Sequence, residues 1–558
     1  PALFSDLRKA KAEAKPQPDP HQVEAIEAVV SGLQASNRGQ MIMACGTGKT
    51  FTTLWIKEAL NARATLVLLP SLNLLSQTMR EWAWGAKDDF DILNVCSDKS
   101  VGKKTEDMGP SEAPFPVTSE VSEIAAFLKR PSNKVLFCTY QSSALIAEVQ
   151  KDKSIPSFDL AIADEAHRCA GKSDAGFSTI LDVAKIRSAK RLFTTATPRY
   201  FGKAVKDAAK LRDTEIIGMD NEELFGPVIH ELAFGEAIQR DLLNDYQVLV
   251  VGVDEPRVKL LIDNYELVSS NPDNITDART LAAKLGLIKA IQDYDLKRVI
   301  SFHSRVKSAK EFSSEFTDVV KLIKPDERPE GLFFADYVEG KMKASDRANK
   351  IQQLKSLEDY DRGVLSNARC LAEGVDVPSL DGIAFIDPRG SQIEIIQAVG
   401  RAIRKVRNAK SQSKGTIVIP VFIEEGDNPE ASIEASNFKP VWDVLNALRA
   451  HDEILAETLD EYRENLARNK HSARSDIGKI IFDLSKSVGM EFASALQTVL
   501  VEASTASWEF WFAKLQQYKE ENGDCLVRDK LRTRDGYGLG IWVGKQRSNK
   551  STLSPDKI

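Results

Sequence analysis

Short apolar runs alternate with amphipathic stretches over the first part of the chain. Apolar residues recur at helical spacing from near His21, which predicts a first helix there. Between Gln40 and about Tyr200, runs rich in leucine and β-branched residues are separated by helical patterns; the runs are MIMA, TLVLLP, KVLFCTY, FDLAIADE and RLFTTATP. Continuous apolar runs separated by helices are typical of a parallel sheet buried on both faces. The pattern therefore predicts one α/β domain.

A second series of the same kind starts near residue 298. Its runs are RVISFHS, GLFFADY, GVLSNARCLAEGVDVP, GIAFIDP and GTIVIPVFI, with a helix predicted over SQIEIIQAVGRAIRK. The connecting segment before it ends in YQVLVVGV, a strand that we expect to join the second sheet. The chain is therefore predicted to hold two α/β domains in tandem.

The sequence changes character twice after the second domain. From about residue 428 to 500 it is charged, with apolar residues at three- and four-residue intervals, which predicts a helical connector. From Ser507 it is rich in Trp, Tyr, Gly and basic residues. The predicted division is an N-terminal extension (1–20), a first α/β domain (21–228), a second α/β domain (229–427), the helical connector (428–500) and a C-terminal module (501–558).

The composition narrows the class of protein. At 558 residues the chain is long enough for several domains, and no apolar run approaches the roughly 18 residues that a membrane span needs. No charged-then-apolar leader precedes the first predicted helix. The six cysteines include no C-x-x-C pair, which argues against structural zinc and disulfides. We expect a cytoplasmic protein without membrane contact, and the net charge of −6 leaves any nucleic-acid binding to local grooves.

The stretch MACGTGKT follows the first predicted strand and matches the phosphate-binding pattern G-x-x-x-x-G-K-[ST], except that Met43 replaces the first glycine. Such a loop binds phosphate because backbone N–H groups converge at the start of a helix. Gly46 and Gly48 would allow the tight curl, Lys49 would reach the β- and γ-phosphates, and the Thr50 hydroxyl would ligate Mg²⁺. The first glycine only begins the turn, so Met43 weakens the match without removing the chemistry.

An acidic pair follows another predicted strand, in LAIADEAH. Phosphoryl transfer needs a carboxylate for Mg²⁺ at the end of a neighbouring strand, and Asp164 stands there. Glu165 is placed to orient or deprotonate the attacking water. On its own such a pair is more often a solvated loop or a helix cap, and a glycine turn with a solvated lysine is the alternative for the loop. The presence of both motifs reverses that balance.

The stretches DEAH, TAT and QAVGRAIR are similar to motifs of superfamily 2 helicases and translocases. The resemblance implies two RecA-like domains, each a parallel sheet flanked by helices, with ATP and Mg²⁺ in the cleft between them. Arg401 and Arg404 lie one helical face apart in the predicted helix, able to point across the cleft as arginine fingers do. Gln397 of the same motif joins the catalytic set. A solvated basic helix end is the alternative for the arginines.

The remaining motifs follow in the order of the family. Gln22 in PHQVEAI resembles the residue that reads adenine, and Gly374 and Asp376 resemble residues that approach the nucleotide. The implied nucleotide-binding set is Gln22, Gly46, Thr47, Gly48, Lys49, Thr50, Gly374 and Asp376. The residues implied to couple the ATP site to the nucleic-acid site are His167, Thr195 and Thr197. The implied nucleic-acid contacts are Pro70, Ser71, Gln77, Thr139, Gln141, His303, Ser304, Arg305, Asn367 and Arg369. Taken singly, each of these is as readily a cap or turn residue.

Longer stretches narrow the family further. MACGTGKTFT, DEAHRCAG, TATPRYFG and VWDVLNALRAHD are similar to the motor segment of the single-chain type ISP restriction enzymes and their free-standing helicase relatives. The C-terminal module resembles the helicase-associated domain, a small helical domain that normally continues further, so truncation is expected there. The resemblance implies an ATPase that moves along DNA, with duplex favoured, in a prokaryotic restriction or antiphage defence system.

Two activities of a complete restriction enzyme have no motif in this sequence. It contains neither an N-P-P-[YFW] methyltransferase motif nor a D…E-x-K nuclease core before His21. We therefore expect a separate nuclease or methyltransferase subunit, or other regions, to supply these activities. Two alternatives stay open: a DNA-repair or RNA-remodelling helicase, because no motif specifies 2′-hydroxyl contacts, and a nucleotide-switched DNA-binding scaffold that recruits a nuclease.

Overall fold

The computed structural model describes most of both α/β domains and parts of the C-terminal region. The described residues are 15–96, 115–172, 176–200, 216–259, 278–340, 342–358, 360–368, 380–387, 391–405, 414–424, 432–433, 436, 438–467, 476–484, 492–493, 495–496, 499, 508–528, 531 and 539–548. Three of the predicted site residues, Arg369, Gly374 and Asp376, lie outside the described residues.

The apolar runs of the first domain form a parallel sheet. The strands are β1 (Arg38–Met43), β2 (Ala64–Leu69), β3 (Asp91–Val95), β4 (Lys134–Thr139), β5 (Phe158–Asp164), β6 (Gly171–Lys172), β7 (Ser188–Thr195), β8 (Ile216–Ile217) and β9 (Val228–Leu232). Seven of them form one sheet in the order β3-β4-β2-β5-β7-β1-β9, while β6 and β8 form a separate antiparallel pair. All five predicted runs are confirmed as strands, and β3 and β9 are additional.

Both faces of the first sheet are buried, which explains why its strands are apolar throughout. Along β2, Leu66 and Leu68 pack into one core cluster, whereas Val67 and Leu69 pack into another. Successive side chains of a strand point to opposite faces, so the two clusters lie on opposite sides of the sheet. The helices of this domain are α1 (Pro20–Ala35), α2 (Lys49–Ala59), α3 (Leu72–Gly85), α4 (Val121–Leu128), α5 (Ser143–Val149) and α6 (Glu222–Phe225).

Strand β9 extends the first sheet beyond the predicted domain boundary at residue 228. It runs parallel to β1, with Met41 paired to His230. The approach depends on Gly226, which has a φ of 76° and where a Cβ would lie 2.3 Å from the carbonyl oxygen of Arg38. The first domain therefore continues to Leu232, and the connection to the second begins with α7 (Phe234–Gln239).

The second domain has the same architecture around a larger sheet. Its strands are β10 (Tyr246–Asp254), β11 (Arg298–His303), β12 (Phe333–Glu339), β13 (Arg362–Ala368), β14 (Gly382–Asp387), β15 (Gly415–Ile423), β16 (Asp476–Ile477) and β17 (Ile480–Asp483). Their order is β12-β13-β11-β14-β15-β10-β17-β16. The flanking helices are α8 (Ala278–Asp293), α9 (Val306–Leu322), α10 (Ala344–Lys355) and α11 (Gln392–Ala402). The pairing of β10 with β15 confirms that the strand YQVLVVGV joins this sheet. Two tandem RecA-like domains result.

The connector is helical in α12 (Lys439–Arg449) and α13 (Glu453–Ala467), but it also returns to the second sheet. Strand β17 pairs in parallel with β10, and β16 folds back on β17 around Gly478, which has a φ of 58°. The structure thus differs from the helical prediction at this hairpin. The reason is burial: Ile477 and Ile480 are 2% and 0% exposed and extend the apolar core of the second domain.

A buried carboxylate fastens the connector to the second domain. Asp452 is 0% exposed and caps α13 through the N–H groups of Ile454 and Leu455. It also accepts hydrogen bonds from the Tyr246 hydroxyl (2.7 Å) and the Lys479 amine (3.2 Å). Because these donors come from β10 and from the turn between β16 and β17, the connector cannot shift without leaving a buried charge unpaired.

The C-terminal module contributes two described helices, α14 (Trp508–Asn522) and α15 (Leu539–Ser548). They meet at Trp511 and Trp542, whose rings stack with centroids 6.0 Å apart at 13°, beside a small apolar cluster that includes Leu539 and Val543. Among the described residues, no helix is both long and apolar enough to cross a membrane.

Candidate active site

The phosphate loop begins where β1 ends, and this explains the missing first glycine. Met43 is the last residue of the strand and is fully buried. Its backbone is extended, so the position does not need glycine. Its carbonyl oxygen accepts a hydrogen bond from the Lys49 amine at 3.2 Å. The substitution therefore leaves the loop intact and fills the core under the sheet.

The two remaining glycines of the loop are required by its geometry. Gly46 and Gly48 have φ values of 88° and 86°, which favour glycine, and Gly48 is the N-cap of α2. A Cβ on Gly48 would lie 2.3 Å from the amide nitrogen of Gln22. That amide donates to the Gly48 carbonyl at 3.2 Å, while Nε2 of His21 lies 3.0 Å from the Thr47 carbonyl oxygen. The start of α1 therefore holds the loop from one side.

Helix α2 begins directly after the loop, and a hydrogen bond from α3 holds it in place. Lys49 and Thr50 are its first two residues, and both are half-buried. The indole N–H of Trp82 on α3 donates to the Thr50 carbonyl at 2.9 Å. The free N–H groups at a helix start carry a partial positive charge, which favours an anion there. Together with the Lys49 ammonium, these N–H groups would attract an anion.

The acidic pair lies at the carboxyl end of β5, two strands from β1 in the same sheet. Oδ1 of Asp164 accepts the hydroxyl of Thr194 at 2.8 Å and the backbone N–H of Glu165 at 3.0 Å. The carbonyl oxygen of Asp164 accepts the hydroxyl of Tyr140 at 2.6 Å. Because the strands are parallel, these carboxyl ends and the phosphate loop lie at one edge of the sheet.

Glu165 has a strained backbone and a shared carboxylate. Its φ of 51° and ψ of 49° are left-handed, a conformation uncommon for Glu. Its Oε2 lies 3.4 Å from Nδ1 of His167 and 3.5 Å from the Thr195 hydroxyl. The ring of His167 in turn lies 3.0 Å from the Thr195 hydroxyl and 3.3 Å from the Thr197 hydroxyl. The three predicted coupling residues thus form one hydrogen-bonded group with Glu165.

The two adjacent carboxylates differ in proton affinity. Burial, then the neighbouring Glu165, raises the pKa of Asp164 to about 6, against the attraction of Lys49. Burial would also raise the pKa of Glu165, but the hydrogen bond and proximity of His167, followed by Lys49, lower it to about 2. Glu165 is therefore ionised at neutral pH, as a group that accepts a proton from water must be.

The second domain reaches the loop through α11. The helix lies on the phosphate loop at Gly400, so closely that a Cβ on Gly400 would be 2.5 Å from Cβ of Cys45. Arg401 is half-buried next to this contact, and Gln397 is 5% exposed on the same helix. The helix ends at Ala402, not at residue 405 as predicted, because the backbone of Arg404 forms a β-bridge with Leu243. Arg404 is exposed at the edge of the cleft and does not share a helical face with Arg401.

The predicted nucleic-acid contacts of the first domain lie at the same edge of its sheet. Ser71 caps α3 by accepting the N–H of Leu74, after the buried Pro70. Gln77 on α3 donates to Glu81 at 2.8 Å. Thr139 is buried at the end of β4, and of these five residues only Gln141 is exposed. These roles remain predictions.

The corresponding residues of the second domain divide into buried and exposed groups. His303 is 6% exposed, with Nε2 3.0 Å from the Ser301 hydroxyl and its ring against Phe312. Asn367 on β13 is 2% exposed. Ser304 donates to Asp387, and Arg305 is exposed at the start of α9. Of these four residues only Arg305 is exposed, and their nucleic-acid roles remain predictions.

The donor set fits ATP with a divalent cation. The left-handed glycines open the loop to a phosphate chain, and the Lys49 amine, held by a carbonyl, is available to an anion of higher charge. Asp164 and Glu165 are adjacent half-buried carboxylates, which repel each other unless a cation is near. Thr50 and Asp164 would hold Mg²⁺, a cation that prefers oxygen ligands. Among the described residues no cluster of three or more His, Cys, Asp and Glu could hold a metal by itself.

Sequence reasoning missed several residues that build this site. Thr194 and Tyr140 orient Asp164, and His21 contacts the loop beside Gln22. Thr194 and Tyr140 are next to predicted residues in the sequence, so their position within the motifs is the signal that could have identified them. The role of Gly400 as the contact between α11 and the loop had no signal in the sequence, because it depends on how two domains meet.

Three segments of the chain match described protein families. Residues 15–200 match the type III restriction enzyme, res subunit. Residues 283–406 match the helicase conserved C-terminal domain. Residues 505–558 match the helicase associated domain. The first two segments carry the loop, the acidic pair and the arginines, and the third covers the C-terminal module.

Two curated relatives, a helicase and a restriction enzyme subunit, match parts of this chain. A probable helicase of African swine fever virus is 27% identical over 406 residues, which are 72% of this chain and 41% of the viral protein. The type I restriction enzyme EcoAI endonuclease subunit of Escherichia coli is 25% identical over 238 residues, 41% of this chain and 23% of that protein. The chain thus spans less than half the length of either relative.

Solved structures of similar proteins cover almost the whole chain. The ATP-dependent type ISP restriction-modification enzyme LlaBIII, bound to DNA, matches 91% of this chain with a TM-score of 0.73 and 27% identity, over 34% of its own length. A nuclease-deletion mutant of the type ISP enzyme LlaGI matches 96% of this chain and 34% of its own, with a TM-score of 0.57 and 24% identity. The second likeness supports the fold alone.

Proposed function

We propose that this chain, which is a superfamily 2 helicase related to the motor of the type ISP restriction enzymes, uses ATP hydrolysis to move along duplex DNA. The setting that we propose is a prokaryotic restriction or antiphage defence system. A separate nuclease or methyltransferase subunit, or other parts of a longer protein, would supply cleavage and methylation.

The observation that carries this proposal is the meeting of three groups in one cleft. The phosphate loop, the acidic pair and the arginine-bearing α11 come from separate parts of the sequence, yet Gly400 lies against Cys45 of the loop. Likeness to a DNA-bound type ISP enzyme at 27% identity over 91% of the chain supports the choice of DNA. An ATP-driven motor needs a nucleotide held between two domains, so that each hydrolysis step changes their relation.

The roles of the residues follow from their chemistry. Lys49 and the N–H groups of the loop would hold the phosphates, with Gln22 on the base side. Glu165 would accept a proton from the attacking water, and Arg401 and Arg404 would stabilise charge on the transferred phosphoryl group. Mg²⁺, held by Thr50 and Asp164, would supply the positive charge that the phosphate oxygens need in the transition state.

The proposed coupling runs through the group around His167. Glu165 shares hydrogen bonds with His167 and Thr195, and Thr197 adjoins the same ring. Thr139 ends β4 and Gln141 follows it, and the residue between them, Tyr140, donates its hydroxyl to the Asp164 carbonyl oxygen. A change in the DNA contact of this segment would therefore reach the acidic pair within one hydrogen bond.

Steady-state ATP hydrolysis tests the proposal. The purified chain is measured without nucleic acid and with linear duplex DNA of increasing length, single-stranded DNA or RNA, beside Lys49→Ala as the inactive control. We expect strong stimulation by duplex DNA that rises with its length, since a translocase works longer on a longer track. Stimulation by single strands or RNA alone would replace this proposal with a remodelling helicase.

A lack of stimulation by any nucleic acid would favour the nucleotide-switched scaffold. A salt titration of DNA binding separates that case from non-specific association. Contacts through phosphates release counterions, so the affinity should fall steeply with salt concentration. An affinity that does not change with salt would contradict a phosphate-tracking motor.

A further inference from the structure

Helix α11 approaches the phosphate loop closely at Gly400, a residue without a side chain. A Cβ built on Gly400 would lie 2.5 Å from Cβ of Cys45 and 3.5 Å from its Sγ. Carbon atoms in contact are normally about 3.5 to 4.0 Å apart. The missing methyl group therefore determines how closely the helix approaches the loop.

The atoms on the loop side cannot move aside easily. Cβ of Cys45 is bonded to the backbone and does not change place when the side chain rotates, and Cα of Cys45 would be 3.8 Å from the added group. The next residue, Gly46, is also close, because its own Cβ would lie 3.7 Å from the Gly400 carbonyl oxygen. At Gly400 the helix therefore approaches the loop closely enough that the nearest loop atom is one that no side-chain rotation can move.

The C-terminal end of α11 is anchored separately. The N–H of Asn244 donates to the Ile403 carbonyl at 2.8 Å, and Leu243 forms a β-bridge with Arg404. The side chain of Leu243 also reaches the loop, because Cδ2 would be 3.2 Å from a Cβ on Gly46. The segment between the domains thus holds the end of the helix beside the loop, and a bulkier residue at 400 would strain this arrangement.

We propose that Gly400 is a positioning residue whose lack of a side chain sets the distance between Arg401 and the phosphate loop. The proposal rests on the proposed function, in which Arg401 acts on the phosphates. Gly400 lets α11 rest on Cys45, so that the arginine one residue later is carried to a fixed place in the cleft.

Gly400→Ala tests this directly. The added methyl group requires about 1 Å of further separation to reach ordinary contact distance. A displacement of this size in an active site can cost about 100-fold in rate. We expect kcat for ATP hydrolysis to fall by about 10- to 100-fold, with KM and the affinity for a fluorescent ATP analogue changed less than about threefold. Activity equal to the wild type would overturn the proposal.

A second substitution separates this contact from a general defect. Cys45→Gly removes the Cβ that the new methyl group would meet. Relative to Cys45→Gly alone, the double variant Cys45→Gly/Gly400→Ala should lose less than about threefold in kcat, because the clash is gone. If Gly400→Ala lowers kcat equally in both backgrounds, the loss does not arise at Cys45 and the proposal fails.

A matched control addresses helix propensity. Gly544 also lies inside a helix, α15, and nothing lies within 4 Å of a Cβ built there. Alanine is the better helix former at both positions. Gly544→Ala should therefore leave kcat unchanged, so that a loss in Gly400→Ala reports the contact with the loop.

Amide hydrogen exchange keeps the two proposals distinguishable. If the wild-type chain hydrolyses no ATP, the proposed function fails, but the contact can still be measured. Peptides covering 43–50 and 392–402 should exchange faster in Gly400→Ala than in the wild type, and Cys45→Gly/Gly400→Ala should restore the rate seen in Cys45→Gly. Unchanged exchange in Gly400→Ala would overturn the contact whatever the turnover.

Discussion

The two sides of the ATP cleft are built in different ways. On the first domain, buried side chains hold one another: Thr194 binds Asp164, and His167 and Thr195 share the carboxylate of Glu165. On the second domain, the backbone does the positioning, because α11 rests on the loop at Gly400 and a β-bridge ends it at Arg404. The first arrangement is complete within one sheet, whereas the second exists only where two domains meet.

Because the two sides are built differently, substitutions on them should impair the site in different ways. The acidic pair, its threonines and the phosphate loop lie at the carboxyl ends of β5, β7 and β1, which are neighbours in the sheet, so their spacing survives any movement of the other domain. The arginines depend on the angle between the domains. Substitutions on the first side should therefore change the chemistry, and those on the second should change how often the complete site forms.

The largest effect should come from Arg401→Ala. An arginine that stabilises the transferred phosphoryl group is worth about 10³ to 10⁵ in rate, so kcat should fall by at least about 10³-fold. Nucleotide affinity, measured with a fluorescent ATP analogue, should change little, because the loop that holds the phosphates is intact. Arg279→Ala, which removes an exposed ion pair with Glu424, is the control and should keep full activity. Near-normal turnover in Arg401→Ala would remove the arginine from the mechanism.

Glu165→Gln should be comparable or slightly smaller in effect. Loss of a general base lowers the rate by about 10² to 10⁴-fold. The amide keeps the size of the side chain and its hydrogen bond to Thr195, so ATP binding should remain. Single-turnover hydrolysis and analogue binding separate the two quantities. Glu123→Gln, at an exposed position in α4, should behave as the wild type, and wild-type turnover in Glu165→Gln would exclude the base assignment.

A smaller effect is expected from Thr195→Val. The change removes a buried hydroxyl that contacts both Glu165 and His167 while keeping the shape of the side chain. Stimulated hydrolysis should fall by about tenfold, a loss of about 1.4 kcal/mol in transition-state stabilisation, and basal hydrolysis should fall less. Thr65→Val is the matched control on β2, since the Thr65 hydroxyl is buried without a partner among the described residues. Equal losses in basal and stimulated rates would argue against coupling.

The smallest expected effect is a change in the pH dependence of stability, and it distinguishes the two buried histidines His167 and His303. His167 contacts a carboxylate, whereas His303 contacts the Ser301 hydroxyl, and burial followed by the charge of Lys284 lowers the pKa of His303 to about 3. The folded pKa is below the unfolded value, so stability from neutral His303 is complete above about pH 6.5 and is lost as the pH falls towards 3. Urea unfolding should show the wild type losing about 1 kcal/mol more than His303→Asn between pH 7 and 5.5. Parallel pH profiles would contradict the buried neutral ring.

The parallel sheets could be predicted because a strand that is buried on both faces is apolar at successive positions. In the sequence such strands are continuous apolar runs. The five runs of the first domain are strands, and YQVLVVGV joins the second sheet as β10. Strand β9 was missed because VIHEL is mixed in polarity and half-exposed, so its pairing with β1 depends on the turn at Gly226. The hairpin of β16 and β17 was missed because it is short and separated from its partner β10 by more than two hundred residues.

The candidate site likewise has some features that could be predicted from the sequence and others that depend on contacts between distant residues. Motif spacing predicted Lys49, Asp164 and Glu165 next to the ends of strands, and the structure has all three at one edge of a parallel sheet. The left-handed backbone of Glu165 could not be predicted, because Glu has no preference for it and the surrounding sheet imposes it. Arg404 leaves the helix because Leu243, distant in sequence, pairs with its backbone. The catalytic and DNA-binding roles themselves remain predictions.

The pairing of β17 with β10 has a mechanical consequence. The chain beyond Asp483 leaves from a strand that is hydrogen-bonded in parallel to β10, with four residue pairs in register from Val248 to Val251. A pull on that chain, directed along the strand, loads these hydrogen bonds together in shear instead of opening them one at a time. The second sheet can thus transmit a load along β17 as one rigid body, because the hydrogen bonds with β10 share it.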